Sequence, residues 1–245
     1  MTQSKILLTK EGKRFYVKDI TKDYHTQYGF VKVKDLKKKD GSRIKTNTGQ
    51  ELTIFTPSFI DDYKKIKRAP QIIPRKDIAA IIAETGVNKK SIIVDAGGGS
   101  GALACFLANI AKQVTTYEIR EDFYKIVLKN KKFLGLNNLK IKNKDVYRGI
   151  EEKEVDLVTL DLPSPWNAIK PAENALKVGG FLVSYSPTIP QVIDFVSMIQ
   201  RNNKLVHLKT IEIIERPWDI DERKVRPKSQ PIGHSGFLSF CRKIS

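Results

Sequence analysis

The sequence predicts an α/β fold, in which a doubly wound, mostly parallel sheet carries an antiparallel edge hairpin and follows a small β-rich domain. Two observations indicate this. Short apolar runs alternate with amphipathic segments through residues 66–245, whereas residues 1–65 hold only short β-type runs separated by turn residues. A chain of 245 residues is long enough for one α/β domain and a small appendage. We therefore predict two domains, spanning residues 1–65 and 66–245.

The N-terminal domain is predicted from four β-type runs with turn signals such as Gly12 and Asp40-Gly41 between them. The runs are residues 5–9, 13–18, 29–33 and 51–55. Residues 1–70 hold 17 Lys or Arg against 8 Asp or Glu, a balance of +9, with aromatic residues interleaved. Basic charge binds phosphates and aromatic faces stack on bases, so the domain is predicted to bind RNA or serve assembly. The alternative is a solubilising basic surface over ordinary core aromatics.

The strongest chemical signal is the segment IIVDAGGGSGAL at residues 92–103. An apolar run, a glycine cluster and a second apolar segment predict a strand, a loop and a helix in that order. Because glycines have no side chains, a ligand can approach the backbone of the loop closely. Gly97, Gly99 and Ala102 satisfy the dinucleotide pattern G-x-G-x-x-G/A, so a nicotinamide or flavin cofactor is one alternative. Asp95 precedes the glycines, and a carboxylate there suits a ligand with a cationic amino-acid end. The order Asp-x-Gly-x-Gly-x-Gly resembles the first motif of class I S-adenosylmethionine-dependent methyltransferases, and a purely structural turn is the third alternative.

Three further acids follow predicted strands. Glu118 is predicted to accept hydrogen bonds from the hydroxyls of an adenosine ribose. Asp145 is predicted to contact the edge of the adenine ring. Asp161 ends an apolar run, and the prolines that follow it stiffen the loop. Because ligands bind at the carboxyl ends of strands in open α/β sheets, Asp161 is predicted to share a crevice with the glycine loop. The alternatives are a surface acid at a strand end for Glu118, an ordinary loop residue for Asp145 and a helix cap or turn former for Asp161.

The remaining elements of residues 66–245 are predicted from periodicity and breakers. Asp77 is predicted to cap the first helix and Gly86 to end it. Predicted strands are residues 92–94, 114–118, 139–141, 155–160 and 181–185, and predicted helices lie at 78–82, 102–108, 123–134, 172–178 and 190–199. Two β-type runs, 205–215 and 236–241, are predicted to pair as the edge hairpin, with a polar, proline-broken loop at 216–234 between them.

The formal charge of +17, with a pI near 9.7, points to a polyanionic partner, either nucleic acid or an anionic membrane surface. The apolar stretches fall short of the roughly 18 residues that a membrane span needs, so no membrane partner is expected. The N-terminus has no apolar run long enough for a signal peptide, and we expect a cytoplasmic protein. Cys105 and Cys241 lack the paired spacing of a zinc site and are predicted to be buried thiols, and the three scattered histidines predict no metal site.

The chain resembles the tRNA adenine-N1 methyltransferases that modify the T-loop in archaea and bacteria and have a eukaryotic catalytic counterpart. The resemblance rests on VDAGGGSG at residues 94–101, YEIR at 117–120, DLPSPW at 161–166 and GHSGFL at 233–238. It implies a Rossmann-like class I methyltransferase fold, S-adenosylmethionine as cofactor and tRNA as partner. It also implies methyl transfer to N1 of adenine 58, in archaeal members often also 57, by a homotetramer.

Asp161 is the predicted catalytic residue. Adenine N1 has a lone pair in the ring plane and needs no strong base, but attack makes the ring cationic, and a carboxylate near the N6 amino group stabilises that charge. The target adenine has to leave its stack to reach the pocket. The predicted cofactor-binding residues are Gln71, Asp95, Gly97, Gly99, Ser100, Gly101, Ala102, Leu103, Glu118, Asp145 and Asp161.

One position departs from the family pattern. Pro74 stands where relatives often carry a ring near the target base, so no stacking role is assigned to it, whereas Gln71 and Asp77 match. Two other functions stay open. One is a non-catalytic RNA-binding subunit, against which the intact acids argue. The other is a nicotinamide-dependent oxidoreductase, for which no hydride-site acid or base is evident.

Overall fold

The computed structural model describes residues 4–68, 72–230 and 232–245, and the chain separates into two compact units, Met1–Lys65 and Ile66–Ser245. The elements of the N-terminal unit are β1 (Lys5–Leu8), β2 (Arg14–Val17), β3 (Tyr24–Thr26), β4 (Gly29–Val31), α1 (Val33–Leu36), β5 (Arg43–Lys45), β6 (Glu51–Phe55) and α2 (Phe59–Tyr63). A four-stranded antiparallel sheet has the order β2-β1-β6-β5, and β3 pairs with β4.

The predicted β-rich character of this unit is confirmed. Its core contains Leu7, Val17, Val31, Leu36, Ile44, Leu52 and Ile54. The strands β3 and β5 were not predicted, since a strand of three residues shows too little alternation to be recognised. The predicted run 29–33 ends as a strand at Val31 because Val33 already begins α1.

The C-terminal unit alternates strands and helices. Its elements are α3 (Arg75–Thr85), β7 (Ile92–Ala96), α4 (Ala102–Ala108), β8 (Gln113–Tyr117), α5 (Glu121–Leu134), β9 (Leu139–Lys142), β10 (Val155–Leu160), α6 (Ile169–Ala175), β11 (Leu176–Ser186), α7 (Ile189–Gln200), β12 (Leu205–Glu212), β13 (Trp218–Asp221), β14 (Lys224–Pro227) and β15 (Phe237–Lys243). Short 3-10 turns occupy Val146–Arg148 and Pro165–Ala168.

The central sheet has seven strands in the order β12-β15-β11-β10-β7-β8-β9. The strands from β11 to β9 are parallel, and β15 runs antiparallel to both β11 and β12. The predicted α/β fold with an antiparallel edge pair is confirmed. Strand order reverses between β7 and β10, and the carboxyl ends of strands at such a switch point are where open α/β sheets bind ligands.

The inner strands are apolar because both faces of the sheet are covered. Ile93 and Val94 of β7 and Leu157 and Val158 of β10 are fully buried. Phe195 of α7 packs in the same core as Val94 and Val158. The two cysteines are buried and free, as predicted. None of the helices within the described ranges is long and apolar enough to cross a membrane.

Of the two predicted ends of helix α3, the C-terminal end is confirmed and the N-terminal end is wrong. Gly86 ends it with a φ of 65°, a conformation that glycine adopts without strain. The predicted cap Asp77 is wrong, because Pro74 is the N-cap and Asp77 lies inside the first turn with 1% exposure. Its carboxylate is instead held by Lys76 and Ser235.

The predicted helix at 172–178 is also wrong at its end. Helix α6 ends at Ala175, and β11 runs from Leu176 through both glycines to Ser186. The reason is a register shift, in which Leu176 pairs with Val155 and the next pair is Phe181 with Leu157. The carbonyl of Val155 would lie 2.9 Å from a Cβ at position 180, so glycine fits this close approach.

The stretch 216–234, predicted as a loop, contains the antiparallel hairpin of β13 and β14. The turn places Glu222 at a φ of 48°. The hairpin was not predicted because its strands have only four residues each and lie in a polar, proline-broken stretch, although charged and uncharged residues alternate in both.

Candidate active site

The glycine loop joins β7 to α4, and close contacts determine its path. Gly97 has a φ of 84°, and a Cβ there would overlap the backbone carbonyl of Asp161. Gly101 has a φ of 76°, and a Cβ there would lie 2.7 Å from Val127. Gly99 differs, because a Cβ there would meet nothing nearer than 3.9 Å. The loop therefore lies directly against the end of β10 and opens towards solvent at Gly99.

Most N–H groups of this loop are already engaged. The amides of Gly97 and Gly98 donate to the carbonyl of Tyr117 at 3.2 and 2.9 Å. The amide of Gly99 donates to Oε2 of Glu118 at 2.6 Å. A dinucleotide pyrophosphate needs free N–H donors in such a loop. The geometry therefore disfavours the dinucleotide alternative.

Asn130 on α5 holds the far side of the loop. Its side-chain amide donates to the carbonyls of Ser100 and Lys67, both at 2.8 Å, and its oxygen accepts from the Lys67 amide. The predicted apolar stripe of α5 is accordingly incomplete, because Asn130 is buried while Phe133 is 39% exposed. In the sequence, the polar residue Asn130, three positions after Val127, indicated that the apolar stripe is interrupted.

Asp95 lies at the end of β7, 2% exposed. Its two oxygens accept hydrogen bonds of 2.8 Å from the hydroxyls of Thr116 on β8 and Thr159 on β10. Burial raises the pKa of Asp95 to about 6, the two hydroxyls oppose that rise, and the charge of Glu118 adds to it. A buried carboxylate is thus presented behind the loop, where a cation would stabilise its charged form.

Glu118 and Asp145 follow β8 and β9. Glu118 is 6% exposed, and its second oxygen accepts from the Arg120 amide at 2.8 Å. Asn143 donates to the Glu118 carbonyl at 2.7 Å. Asp145 caps the short turn that follows it by accepting from the Tyr147 amide at 2.9 Å. Both acids are therefore fixed by backbone contacts at the edge of the crevice.

Asp161 continues β10, and its amide donates to the Ala96 carbonyl at 2.8 Å. Burial raises the pKa of its carboxyl to about 7, and the charge of Asp95 adds to the shift. The 3-10 turn Pro165–Ala168 follows. Asp161 therefore stands on a rigid frame at the switch point of the sheet.

A cavity of about 910 Å³ gathers many of these residues. Its lining includes Gly97, Gly99, Glu118, Asp145 and Asp161. A narrow space behind the loop is lined by Asp95, Ser100, Ala102, Leu103 and, again, Gly97, Gly99 and Asp161. Gly101 lines neither cavity, and Gln71 lies outside the described residues. The structure thus brings nine of the predicted cofactor-binding residues to two adjoining spaces, while their roles stay predictions.

A second hydrogen-bond network, which the sequence did not reveal, holds the segment around Ser235 against α3 and β11, near Asp161. Lys76 donates to Ser235 Oγ at 2.6 Å and to Asp77, and Ser235 Oγ donates to Asp77 at 3.0 Å. Tyr185 donates its hydroxyl to the Ser235 carbonyl at 2.5 Å. Burial raises the pKa of Tyr185 to about 12, and the charges of Asp77 and Asp161 contribute to the rise. The C-terminal segment is therefore tied to α3 and β11.

His234 connects this hydrogen-bond network to a residue that lines the cavity. Its Nε2 donates to the carbonyl of Pro187, a cavity-lining residue, at 2.8 Å, and its Nδ1 lies 2.5 Å from Glu212. The carboxylate of Glu212 first, and then the Pro187 carbonyl, raise the pKa of His234. A Cβ at Gly236 would overlap the Tyr185 ring. The Gly-His-Ser-Gly motif at residues 233–236 therefore holds the C-terminal segment in place beside the cavity.

The raised carboxyl pKa values give a testable dependence of stability on pH. Between its ordinary value of 3.8 and about 7, Asp161 binds its proton more tightly in the folded chain than in the unfolded chain. The free energy of unfolding therefore falls as pH rises through that window. We expect Asp161→Asn to be more stable than the wild type at pH 8 in urea unfolding, and the advantage to shrink at pH 5. Asp194→Asn on α7 is the control, and an advantage that does not change with pH would contradict the prediction.

The order of the sheet and the glycine loop at its switch point define a class I methyltransferase fold. The family described as "tRNA methyltransferase complex GCD14 subunit" matches residues 63–236, and the chain belongs to this family.

Relatives and solved structures agree with that assignment. The chain is 34% identical to the tRNA (adenine(57)-N(1)/adenine(58)-N(1))-methyltransferase TrmI of Methanocaldococcus jannaschii, over 97% of this chain and 94% of that protein. The tRNA (m1A58) methyltransferase TrmI of Aquifex aeolicus superposes with a TM-score of 0.84 at 26% identity, covering 100% and 99% of the two chains. A SAM-dependent O-methyltransferase of Thermotoga maritima superposes with a TM-score of 0.89 at 31% identity, covering 99% and 93%. The family predicted from the sequence is confirmed.

Proposed function

We propose that the chain transfers a methyl group from S-adenosylmethionine to N1 of adenine 58 in the T-loop of tRNA, and of adenine 57 as well. The observation that carries the proposal is a cluster of carboxylates at the switch point of a chain whose net charge is +17. An acidic crevice suits a small cationic ligand, whereas the basic chain suits a polyanion. The relative in M. jannaschii is named for both adenines, which supports the wider specificity.

The residues of the crevice fit S-adenosylmethionine. Asp95 and Asp161 offer negative charge to its cationic groups, and Glu118 lies where the ribose hydroxyls are expected. The buried hydroxyl of Ser100 has no hydrogen-bond partner among the described residues, so the narrow space behind the loop contains an unsatisfied polar group. Glycine at 97 lets the loop lie against the end of β10, since a Cβ there would overlap the Asp161 carbonyl. When bound, S-adenosylmethionine supplies an electrophilic methyl group.

Asp161 acts on the acceptor base in this proposal. Its carboxylate accepts a hydrogen bond from the N6 amino group and stabilises the positive charge that the ring acquires as N1 is alkylated. It does so from a low-dielectric position, as its raised pKa indicates. The rest of the rate enhancement comes from holding N1 in line with the methyl group. Asp161 removes no proton from N1, because that nitrogen carries none in neutral adenine.

The N-terminal unit is proposed to contact tRNA phosphates. Its exposed lysines include Lys37, Lys38 and Lys39, and Tyr16, Tyr24, Tyr28 and Phe30 are half-buried. The homotetramer implied by the resemblance belongs to the same proposal. The family description names a subunit of a complex, which supports assembly but does not specify identical copies.

Salt dependence tests the contribution of the N-terminal unit. Each phosphate contact contributes about 0.7–0.9 to the slope of log affinity against log salt concentration. We expect the Lys37→Ala, Lys38→Ala, Lys39→Ala variant to lose roughly one to two units of slope in filter binding of tRNA. Lys89→Ala, Lys90→Ala, Lys112→Ala removes as many exposed charges near the amino ends of the strands, away from the crevice, and is the control. Equal slopes for the two variants would remove the N-terminal unit from the RNA contact.

Transfer of a labelled methyl group to unmodified tRNA tests the proposed function. We expect incorporation into a tRNA transcript to fall to background when adenines 57 and 58 are both replaced by guanine. Undiminished incorporation into the replaced transcript would overturn the proposed target. Single replacements then assign the label to one adenine or to both.

A further inference from the structure

The cavity at the switch point has two sides, which follow from the order of the strands. Residues after β8 and β9, among them Glu118 and Asp145, line the side assigned to the cofactor. Residues after β10 and β11 line the other side, which is left for the methyl acceptor. They include Asp161, Pro163, Pro187 and Gln191. Of these four, the proposed function uses only Asp161.

Gln191 lies in the first turn of α7, and its side-chain amide joins the two loops of the acceptor side. Its Nε2 donates to the carbonyl of Pro163 at 3.1 Å, and its Oε1 accepts from the hydroxyl of Thr188 at 2.8 Å. Because a carbonyl oxygen can only accept, the nitrogen of the amide faces Pro163 and the oxygen faces Thr188. The orientation of the amide is therefore determined by its partners.

The backbone on both sides of this amide is also held in place. Pro163 follows Asp161 by two positions in the proline-containing loop after β10, and Pro187 directly precedes Thr188. The carbonyl of Pro187 accepts a hydrogen bond of 2.8 Å from His234. A side chain that is already fixed loses little further freedom when a ligand binds to it, so its contacts favour binding more strongly than those of a mobile side chain.

One N–H of Gln191 remains available to a ligand. A primary amide nitrogen has two N–H donors, and the hydrogen bond to Pro163 uses one of them. The second has no partner among the residues that the structure describes, and the half-buried side chain lines the cavity. The acceptor side thus offers one oriented donor beside the loop that carries the carboxylate of Asp161.

The chemistry of adenine determines which atom this donor meets. Asp161 is proposed to accept from the N6 amino group, and the ring acceptors N1 and N7 lie on either side of that group. N1 has to direct its lone pair at the methyl group and accepts no hydrogen bond while it does so. N7 is therefore the neighbouring acceptor that is left, and side-chain amides of proteins contact this edge of adenine in nucleic acids.

We propose that Nε2 of Gln191 donates to N7 of the target adenine while Asp161 accepts from N6. The inference rests on the proposed function, since it adds a contact to the same acceptor base. Two contacts on one edge fix the rotation of the base in its plane, which a single contact to N6 leaves free, and so direct N1 at the methyl group. Guanine keeps N7 but presents an acceptor, O6, to the carboxylate, so the two residues together select adenine.

A double-mutant cycle between Gln191 and N7 tests the proposal. The two substrates are tRNAs with guanine at position 57 and, at position 58, either adenosine or 7-deazaadenosine, in which C–H replaces N7. The two enzymes are the full-length wild type and Gln191→Met, which keeps the length of the side chain but removes the donor. The single-turnover rate of transfer from labelled S-adenosylmethionine is measured for all four combinations.

The rate ratio of adenosine to 7-deazaadenosine should be about three- to tenfold larger for the wild type than for Gln191→Met, which is the effect of one neutral hydrogen bond. The deaza substitution also changes the reactivity of N1, and the variant also loses its contact with Pro163. Comparing the two ratios cancels both effects, because each acts equally on both members of one comparison. Gln200→Met, at the exposed C-terminal end of α7, is the matched control and should keep the wild-type ratio.

Equal ratios for the wild type and Gln191→Met would overturn the proposal even if the variant is slow, because Gln191 would then act only by holding Pro163. A ratio that falls equally in Gln200→Met would also count against it. A wild type that does not methylate N1 of adenine 58 would refute the proposed function and this inference together. Equal ratios in an active wild type refute the inference alone, so the two failures are distinguishable.

Discussion

Asp161→Ala is expected to lower the single-turnover rate of methyl transfer by about 10²–10⁴, or roughly 3–5 kcal/mol of barrier. The carboxylate lies at the switch point beside the glycine loop, and its pKa of about 7 reflects a low-dielectric setting in which its charge acts strongly on the base. Quenched-flow measurement with labelled S-adenosylmethionine gives the rate. The tRNA affinity should change far less, because tRNA is positioned by other residues.

Asp161→Asn separates charge from shape. It keeps the size and one acceptor oxygen but removes the negative charge, so it should lose most of the rate that Asp161→Ala loses. Asp145→Asn is the control, since Asp145 lines the same cavity but caps a turn and is assigned to the cofactor. A single-turnover rate of Asp161→Asn close to that of the wild type would remove charge stabilisation from the mechanism.

Gly97→Ala is expected to weaken binding of S-adenosylmethionine by about 100-fold, or about 2.7 kcal/mol. The added Cβ would overlap the Asp161 carbonyl, and the φ of 84° is unfavourable for alanine. Because that contact is with backbone, relief requires the loop to move away from β10. Isothermal titration calorimetry gives the affinity.

Gly99→Ala in the same loop is the matched variant. Its φ of 51° carries a similar backbone cost, but the added Cβ would meet nothing nearer than 3.9 Å. We expect a loss of about tenfold or less, from the backbone alone. Equal losses at the two glycines would show that the contact with Asp161 does not determine the shape of the site.

The central sheet and the positions of the acids followed from the sequence because they depend on local pattern. Apolar runs predict buried strands, and an acid directly after such a run lies at the carboxyl end of a strand whatever the rest of the chain does. Glu118 and Asp161 were placed correctly beside the glycine loop for this reason. The family motifs supplied the reaction, which the residues alone left open between a methyl donor and a dinucleotide.

Contacts between distant residues could not be predicted in this way. Ser235 and Asp77 are 158 positions apart, and nothing in either segment indicates the other. The hydroxyls of Thr116 and Thr159 that hold Asp95 belong to ordinary strand residues. Helix α6 was extended too far because its end depends on the pairing of Leu176 with β10, which is a tertiary contact.

The identity of the methylated nucleoside tests the central claim most directly. Unmodified tRNA is methylated by the wild type, digested to nucleosides and analysed by mass spectrometry against standards. The account predicts N1-methyladenosine, of which Asp161→Ala should form at least about 100-fold less at early times. The informative contrary result is a ribose O-methylated nucleoside. That product, or a methyl group on another base, would contradict alkylation of adenine N1.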